Sequence, residues 1–190
     1  MTEPTRAGRT ARAETPRIRP PSLVLVNTGD GKGKSTAAFG VVMRALARGW
    51  RVCVIQFIKS GEWKVGEKKI ASQLGVDWLE GGDGFSWDST NLDESANHAV
   101  AAWRAAADAI TGGEYQLVVL DEVTYPMTWG WIETADVVDT ITTRPSAVNI
   151  IATGRNAPEA LIGIADTVTE MVKIRHAFDQ GIAAKRGIDF

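Results

Sequence analysis

The sequence predicts an α/β domain with a mostly parallel central sheet and helices on both faces. Three observations carry this. Apolar runs of strand length alternate with segments of helical periodicity along most of the chain. The run Leu23 to Val26 feeds a glycine-rich turn that opens a helical pattern. A second run, Leu117-Val118-Val119-Leu120, closes on two acids, Asp121 and Glu122. In such a sheet, ligands bind outside the carboxyl ends of the strands. The loops after Val26 and Ile58, Asp121-Glu122 and Thr153-Gly154-Arg155 are therefore expected to share one edge and form the site.

Each element has its own signal. After the first turn, Phe39, Val42, Ala45 and Leu46 recur at helical spacing, with the helix running through Arg48 and Gly49 as its C-terminal cap. Arg51 to Ile58, rich in Val, Ile and Phe, reads as a buried strand, and Val76 to Leu79 as a weaker one. Asn91 followed by Glu94 has the pattern of a capping box. Val100, Trp103, Ala107 and Ile110 then form one helical face, ended by Gly112-Gly113. Leu117 to Leu120 is the next strand. Val137, Val138 and Ile141 mark another helix, stopped by Arg144-Pro145. Val148 to Ala152 is a strand, and Leu161, Ile162 and Ala165 suit a helix entered through Asn156 and Pro158. Val168 to Ile174 alternates as a last strand, and no internal repeat is evident.

Composition narrows the function classes. A chain of 190 residues is expected to form one domain with a sizeable core. A net charge of −2 gives no overall nucleic-acid surface. Cys53 is the only thiol, so a disulfide framework or cysteine metal site is excluded, and its apolar setting predicts a buried, inert side chain. No stretch approaches the roughly 20 apolar residues that span a bilayer. Residues 1–22 lack the apolar centre of a secretory signal, so a cytoplasmic location away from membranes is expected. Those residues carry five arginines between Arg6 and Arg19 against Glu3 and Glu14, with Pro4, Pro16, Pro20 and Pro21. They are expected to form a flexible basic N-terminal tail on a domain of residues 23–190. The sharper alternative is an arm that folds over an anionic ligand.

The chemistry begins at Val26-Asn27-Thr28-Gly29-Asp30-Gly31-Lys32-Gly33-Lys34-Ser35-Thr36. A strand, a glycine-rich turn and a helix are the context of a phosphate-binding loop. Glycines let backbone N–H groups converge on phosphate oxygens. Lys34 would bring positive charge, and Ser35 a hydroxyl ligand for Mg²⁺. Thr28 stands where the usual pattern has its first glycine, Gly29 lies one residue too close, and Gly31 and Lys32 are additions. Thr28, Gly29, Asp30, Gly31, Lys32, Gly33, Lys34, Ser35 and Thr36 are the candidate contacts of a nucleoside triphosphate, which the resemblance described below implies is ATP. Asp121 and Glu122, ending a buried strand, could hold Mg²⁺ opposite Ser35. These parts alone leave the reaction open, since an ATPase or a small-molecule kinase would carry them too.

Gly81-Gly82-Asp83-Gly84-Phe85-Ser86-Trp87-Asp88 places two large rings on a glycine-rich segment. In an extended segment Phe85 and Trp87 project the same way, and rings on a surface loop suggest a large, flat ligand. Core packing under a loop is the competing reading. His98 is expected to be solvated and His176 structural.

These residues carry a resemblance to the P-loop class of ATP:corrinoid adenosyltransferases. The matching segments are Thr28 to Gly40, Gln56-Phe57-Ile58-Lys59, Gly84-Phe85-Ser86-Trp87, Leu120 to Tyr125 and Thr153-Gly154-Arg155. Ala165-Asp166-Thr167-Val168, His176-Ala177-Phe178 and Gly187-Ile188-Asp189-Phe190 follow, in order to the C-terminus. The Gly-Asp-Gly-Lys-Gly-Lys loop is that family's own variant. The resemblance implies a RecA-like P-loop nucleotide-binding fold. It implies that a Co(I) corrinoid, cobyrinic acid a,c-diamide or cobalamin, attacks the 5′ carbon of ATP and expels triphosphate in adenosylcobalamin biosynthesis. ATP would lie reversed relative to ordinary P-loop enzymes, exposing C5′. Ser35 and Glu122 match the family's Mg²⁺ ligands, with Asp121 in support. Phe85 and Trp87 match two aromatics beneath the corrin that displace its lower ligand. No side chain need be catalytic, because cobalt is the nucleophile. An electron-donating reductase and a homodimer are further implications. The short, Pro-interrupted N-terminal segment departs from longer, more helical ones in relatives. A corrinoid carrier retaining a regulatory nucleotide site is the non-enzymatic alternative.

Overall fold

A computed structural model describes residues 18–58, 66–80 and 92–189. Six strands make one sheet in the order β3-β2-β4-β5-β1-β6, and every pairing is parallel. The strands are β1 (Val24–Thr28), β2 (Val52–Gln56), β3 (Asp77–Glu80), β4 (Leu117–Asp121), β5 (Asn149–Thr153) and β6 (Thr167–Glu170). The helices are α1 (Lys34–Leu46), α2 (Gly66–Gln73), α3 (Leu92–Thr111), α4 (Thr124–Thr128), α5 (Thr134–Thr142) and α6 (Glu159–Gly163). The expected α/β class with a parallel sheet is borne out. Among these residues, no helix is long and apolar enough to cross a membrane.

Strand alternation divides the core into two layers. Val52 and Val54 of β2, Leu117 and Val119 of β4 and Ile151 of β5 meet Ala38, Val42 and Ala45 of α1 and Ala71 of α2. The intervening residues, among them Val26, Cys53, Ile55, Val118, Leu120 and Ile150, face Trp103, Ala106 and Ile110 of α3, Val137 and Ile141 of α5 and Leu161 of α6. The central strands are apolar on both sides because both sides are covered. Cys53 is fully buried, as expected, and burial pushes its thiol pKa up to about 12.

Several element ends differ from the sequence reading for identifiable reasons. The regular part of α1 ends at Leu46, two residues short of Arg48, but the expected Gly49 cap is borne out by its left-handed conformation (φ 71°). Its N–H then returns to Leu46 and that of Trp50 to Ala45, the two bonds of a Schellman cap. β6 ends at Glu170 and does not reach Ile174. Beyond it the Met171 carbonyl turns to accept the Gly31 N–H at 2.6 Å. α2 and α4 carry no recognisable sequence signal. α2 starts at a glycine and buries only Ala71. α4 is one turn holding Pro126, tolerated there because first-turn N–H groups need no helical acceptor. The Asn91 cap lies outside the described residues.

Candidate functional site

The carboxyl edge of the sheet gathers the loop after β1, the acids after β4 and the turn after β5 around a polar cavity of about 270 Å³. A separate apolar hollow of about 610 Å³ lies between α1 and α2 and shares Thr36, Phe39 and Glu67 with it. The charged and hydroxyl side chains gather in the smaller space.

The glycines of the loop are required first by packing. A Cβ on Gly29 (φ 93°) would stand 2.6 Å from the Met171 carbonyl oxygen, and one on Gly31 2.8 Å from it. The loop thus rests on the chain leaving β6, and no side chain fits between. Gly33 is different. A Cβ there would meet nothing within 4 Å, but φ is 109°, which favours glycine on backbone grounds alone. Gly33 turns the chain directly into α1, whose first N–H groups open the helix toward the cavity.

Lys34 is folded back over this loop. Its ammonium donates to the carbonyls of Gly29 and Gly31, both at 2.7 Å. Burial, reinforced by the positive charge of Arg155, lowers its pKa, against the pull of Glu122 and Asp30. Lys32 reaches across 157 residues of sequence to the Asp189 carboxylate. Asp30 faces Arg155 across the rim at 3.7 Å. Thr28 plays another part. It is buried, and its hydroxyl accepts the Ala157 N–H at 3.1 Å, tying the loop to the β5–α6 connection.

Ser35 and the acids come together as expected. Asp121 is 3% exposed, is hydrogen-bonded by the Ser35 side chain and accepts the Thr153 hydroxyl at 2.7 Å. Burial raises its pKa, while those two bonds oppose the rise. Thr153 Oγ1 in turn accepts the Glu122 N–H at 2.9 Å. That bond holds Glu122 at φ 63°, a left-handed conformation that costs a non-glycine residue about 1–3 kcal/mol. Burial, then the neighbouring Asp121, push the Glu122 carboxyl up to about 8, with Lys34 and Arg155 opposing. Two carboxylates side by side in a poorly hydrated place favour a proton or a cation between them.

Sequence reasoning placed Arg155 at this edge but did not assign Gln56, Tyr125, His176 or Asp189 to the site; all five line the cavity. All five lie in segments that carry the family resemblance, which was the available signal. His176 stands at the rim, its Nδ1 accepting the Phe178 N–H at 3.2 Å, rather than in the core. His98 is half-buried on α3, the helix that covers the opposite sheet face. Phe85 and Trp87 lie outside the described residues, as do residues 1–17.

Comparison with known proteins bears on this arrangement. A family model described as ATP:corrinoid adenosyltransferase BtuR/CobO/CobP matches residues 21–190. The chain is 37% identical over 168 residues to the corrinoid adenosyltransferase of Escherichia coli K12, covering 88% of this chain and 85% of the relative. It is 40% identical over 170 residues to the corrinoid adenosyltransferase of Pseudomonas aeruginosa PAO1, covering 88% and 83%. A relative of the same name from Sinorhizobium is 38% identical over 172 residues, covering 88% and 80%.

Proposed function

The chain belongs to the ATP:corrinoid adenosyltransferase family, and from that premise we propose how its residues divide the work. The reaction is ATP-dependent adenosyl transfer to a corrinoid, a step of cobalamin biosynthesis. In the proposed mechanism the electron pair of a Co(I) corrinoid attacks C5′ of ATP. The Co–C5′ bond forms, the C5′–O bond breaks, and triphosphate leaves with that bond's electrons. Residues Thr28 to Thr36 cradle the triphosphate, Lys32 and Lys34 lie against its developing charge, and Phe85 and Trp87 lie beneath the corrin. Because Lys32 and Lys34 are bonded to Asp189 and to loop carbonyls, ATP must draw them from those partners.

Ser35, Glu122 and Asp121 are proposed to hold Mg²⁺. Among the described residues no three His, Cys, Asp or Glu side chains converge as a metal cage. One hydroxyl and two acids instead suit a cation that keeps several waters and shares phosphate oxygens. The buried Glu122 carboxyl beside Asp121 is the observation that carries this reading, since a bound cation would relieve their mutual repulsion. When bound, Mg²⁺ supplies positive charge to the leaving triphosphate. An electron-donating reductase that makes Co(I), a homodimeric state and a cytoplasmic location belong to the same proposal.

The test is spectroscopic. Chemically reduced corrinoid given enzyme, Mg²⁺ and ATP is expected to show the ultraviolet–visible spectrum of a cobalt–carbon bond, with triphosphate as co-product. ADP plus phosphate would instead mark an ATPase or kinase. Replacing Phe85 and Trp87 together by Ala should collapse transfer that starts from Co(II), hurt transfer from preformed Co(I) less, and change ATP affinity less than about threefold, roughly 0.6 kcal/mol. Full Co(II)-dependent activity in that variant would remove the two rings from the corrinoid site.

A further inference from the structure

A single polar row crosses the sheet at its carboxyl edge, on the face covered by α1. Asn27 of β1 registers with Thr153 of β5, Thr153 bonds Asp121 of β4, and Asp121 registers with Gln56 of β2. Three members of the row are engaged. The Asn27 amide donates to the Lys34 carbonyl at 3.3 Å, and Thr153 and Asp121 are bonded to each other, with Asp121 also bonded to Ser35. The fourth is not. Gln56 is 9% exposed and lines the polar cavity, yet its Oε1 is buried with no hydrogen-bond partner among the described residues. Buried polar atoms are rarely left this way, because the lost hydration goes uncompensated. An amide oxygen can only accept, so the missing partner is a donor delivered from the cavity.

We propose that Gln56 is a positioning residue for the metal, its Oε1 accepting a hydrogen bond from a water carried by the Mg²⁺ of the bound ATP complex. The inference rests on the metal reading given above. Its place in the row supports it. Gln56 is one strand, about 4.8 Å, from Asp121. A Mg²⁺ ion held near Ser35 and Asp121 keeps several waters. Those waters point outward from the cation as strong donors, and acceptors in the next shell fix their orientation. A third carboxylate here would repel Asp121 and Glu122, whereas an amide oxygen accepts without adding charge. The ribose hydroxyls and adenine amine are the competing donors, and they travel with the nucleotide whether or not the metal does.

ATP affinity measured by calorimetry, with Mg²⁺ and with EDTA, separates these sources. Gln56→Met keeps the bulk and removes the acceptor. It should weaken Mg²⁺–ATP binding about tenfold and raise the half-saturating Mg²⁺ concentration in proportion, with metal-free ATP affinity within about twofold of the unaltered protein. Gln56→Leu removes the acceptor in another side chain of similar bulk and should show the same Mg²⁺-dependent loss. Equal losses with and without Mg²⁺ would assign the donor to the nucleotide and overturn the inference, and so would no loss at all. Should Gln56→Met fail to fold, Gln56→Leu decides alone, an unchanged half-saturating Mg²⁺ concentration counting against. Unaltered protein whose ATP affinity ignores Mg²⁺ would sink the metal reading itself. Mg²⁺-dependent binding that Gln56→Met leaves untouched sinks only the inference about Gln56.

Discussion

The two faces of the sheet follow different rules at the same edge. On the α3 face the apolar rows continue past the strand ends, where Phe57, Val123, Met127 and Ile132 are all at least 95% buried. On the α1 face the rows of Val52 and Val54, Leu117 and Val119, and Ile151 give way to Gln56, Asp121 and Thr153. One face spends its last position on burial and the other on ligand chemistry. Burying apolar area stabilises whatever binds, whereas a buried carboxylate pair or an unmet amide oxygen costs stability until a ligand arrives. The α3 face is therefore where stability is expected to be concentrated, and the α1 face where stability has been traded for binding.

Substitution in each face separates those roles, and the largest effect belongs to the α3 face. Ile110 is fully buried against α5 and the sheet. Ile110→Ala should cost about 2–5 kcal/mol, a fall in Tm of roughly 4–20 °C for a domain of this size. ATP affinity below the transition should stay within about twofold. A loss of ATP affinity parallel to the loss of stability would show that the two faces are not separable.

Lys34→Ala makes the opposite cut. The side chain is half-buried and bonds only to the loop's own carbonyls among the contacts seen. Removing one charge-assisted partner of the triphosphate should cost about 1.5–3 kcal/mol of binding, or about ten- to a hundredfold. The Tm should move far less than in Ile110→Ala. Unchanged ATP affinity by calorimetry would take Lys34 out of the phosphate site.

The same contrast explains what was legible in the sequence. The central strands and α1, α3 and α5 announced themselves, because two-sided burial makes continuous apolar runs and one-sided burial makes a 3.6-residue stripe. α2 buries one side chain and α4 is a single turn, so neither leaves a periodic trace. Within the site, Gly29 to Ser35 and Asp121-Glu122 were legible because their chemistry is contiguous along the chain. Thr153 was placed at this edge, but its bonds to Asp121 and Glu122 and the part of Gln56 were not legible, since both arise from parallel register between strands far apart in sequence. The reason for Gly29 and Gly31 was only partly legible. Phosphate approach was expected to demand them, but the Met171 carbonyl already does so without any ligand. The Lys32–Asp189 pair joins the loop to the far end of the chain, a contact no local pattern encodes.

The smallest effect tests the claim that the α1 face gives up stability. The Glu122 carboxyl is raised by burial and by Asp121 from 4.5 to about 8 in the folded protein. A raised folded value means that the folded state binds the proton more tightly than the unfolded state does. The stability linked to this group is therefore fully present below about pH 4.5 and is lost as pH rises through about 8. Glu122→Gln keeps the bulk, cannot ionise and should lack this loss. Gln still needs hydrogen bonds in the same place, so the net gain at pH 8.5 without ligand is on the order of 1 kcal/mol, about 2–4 °C in Tm. Near pH 4.5, where Glu122 is neutral in the folded protein and only the cost of the Gln amide remains, the variant should melt below the unaltered protein. With Mg²⁺ and ATP present the order should reverse, because the variant lacks a charged partner for the metal and forgoes the stabilisation that ligand binding gives the folded state. Parallel pH profiles of Tm for the two ligand-free proteins would show that Glu122 titrates as an ordinary carboxylate. The contrast between the faces would then rest on Asp121 and Gln56 alone.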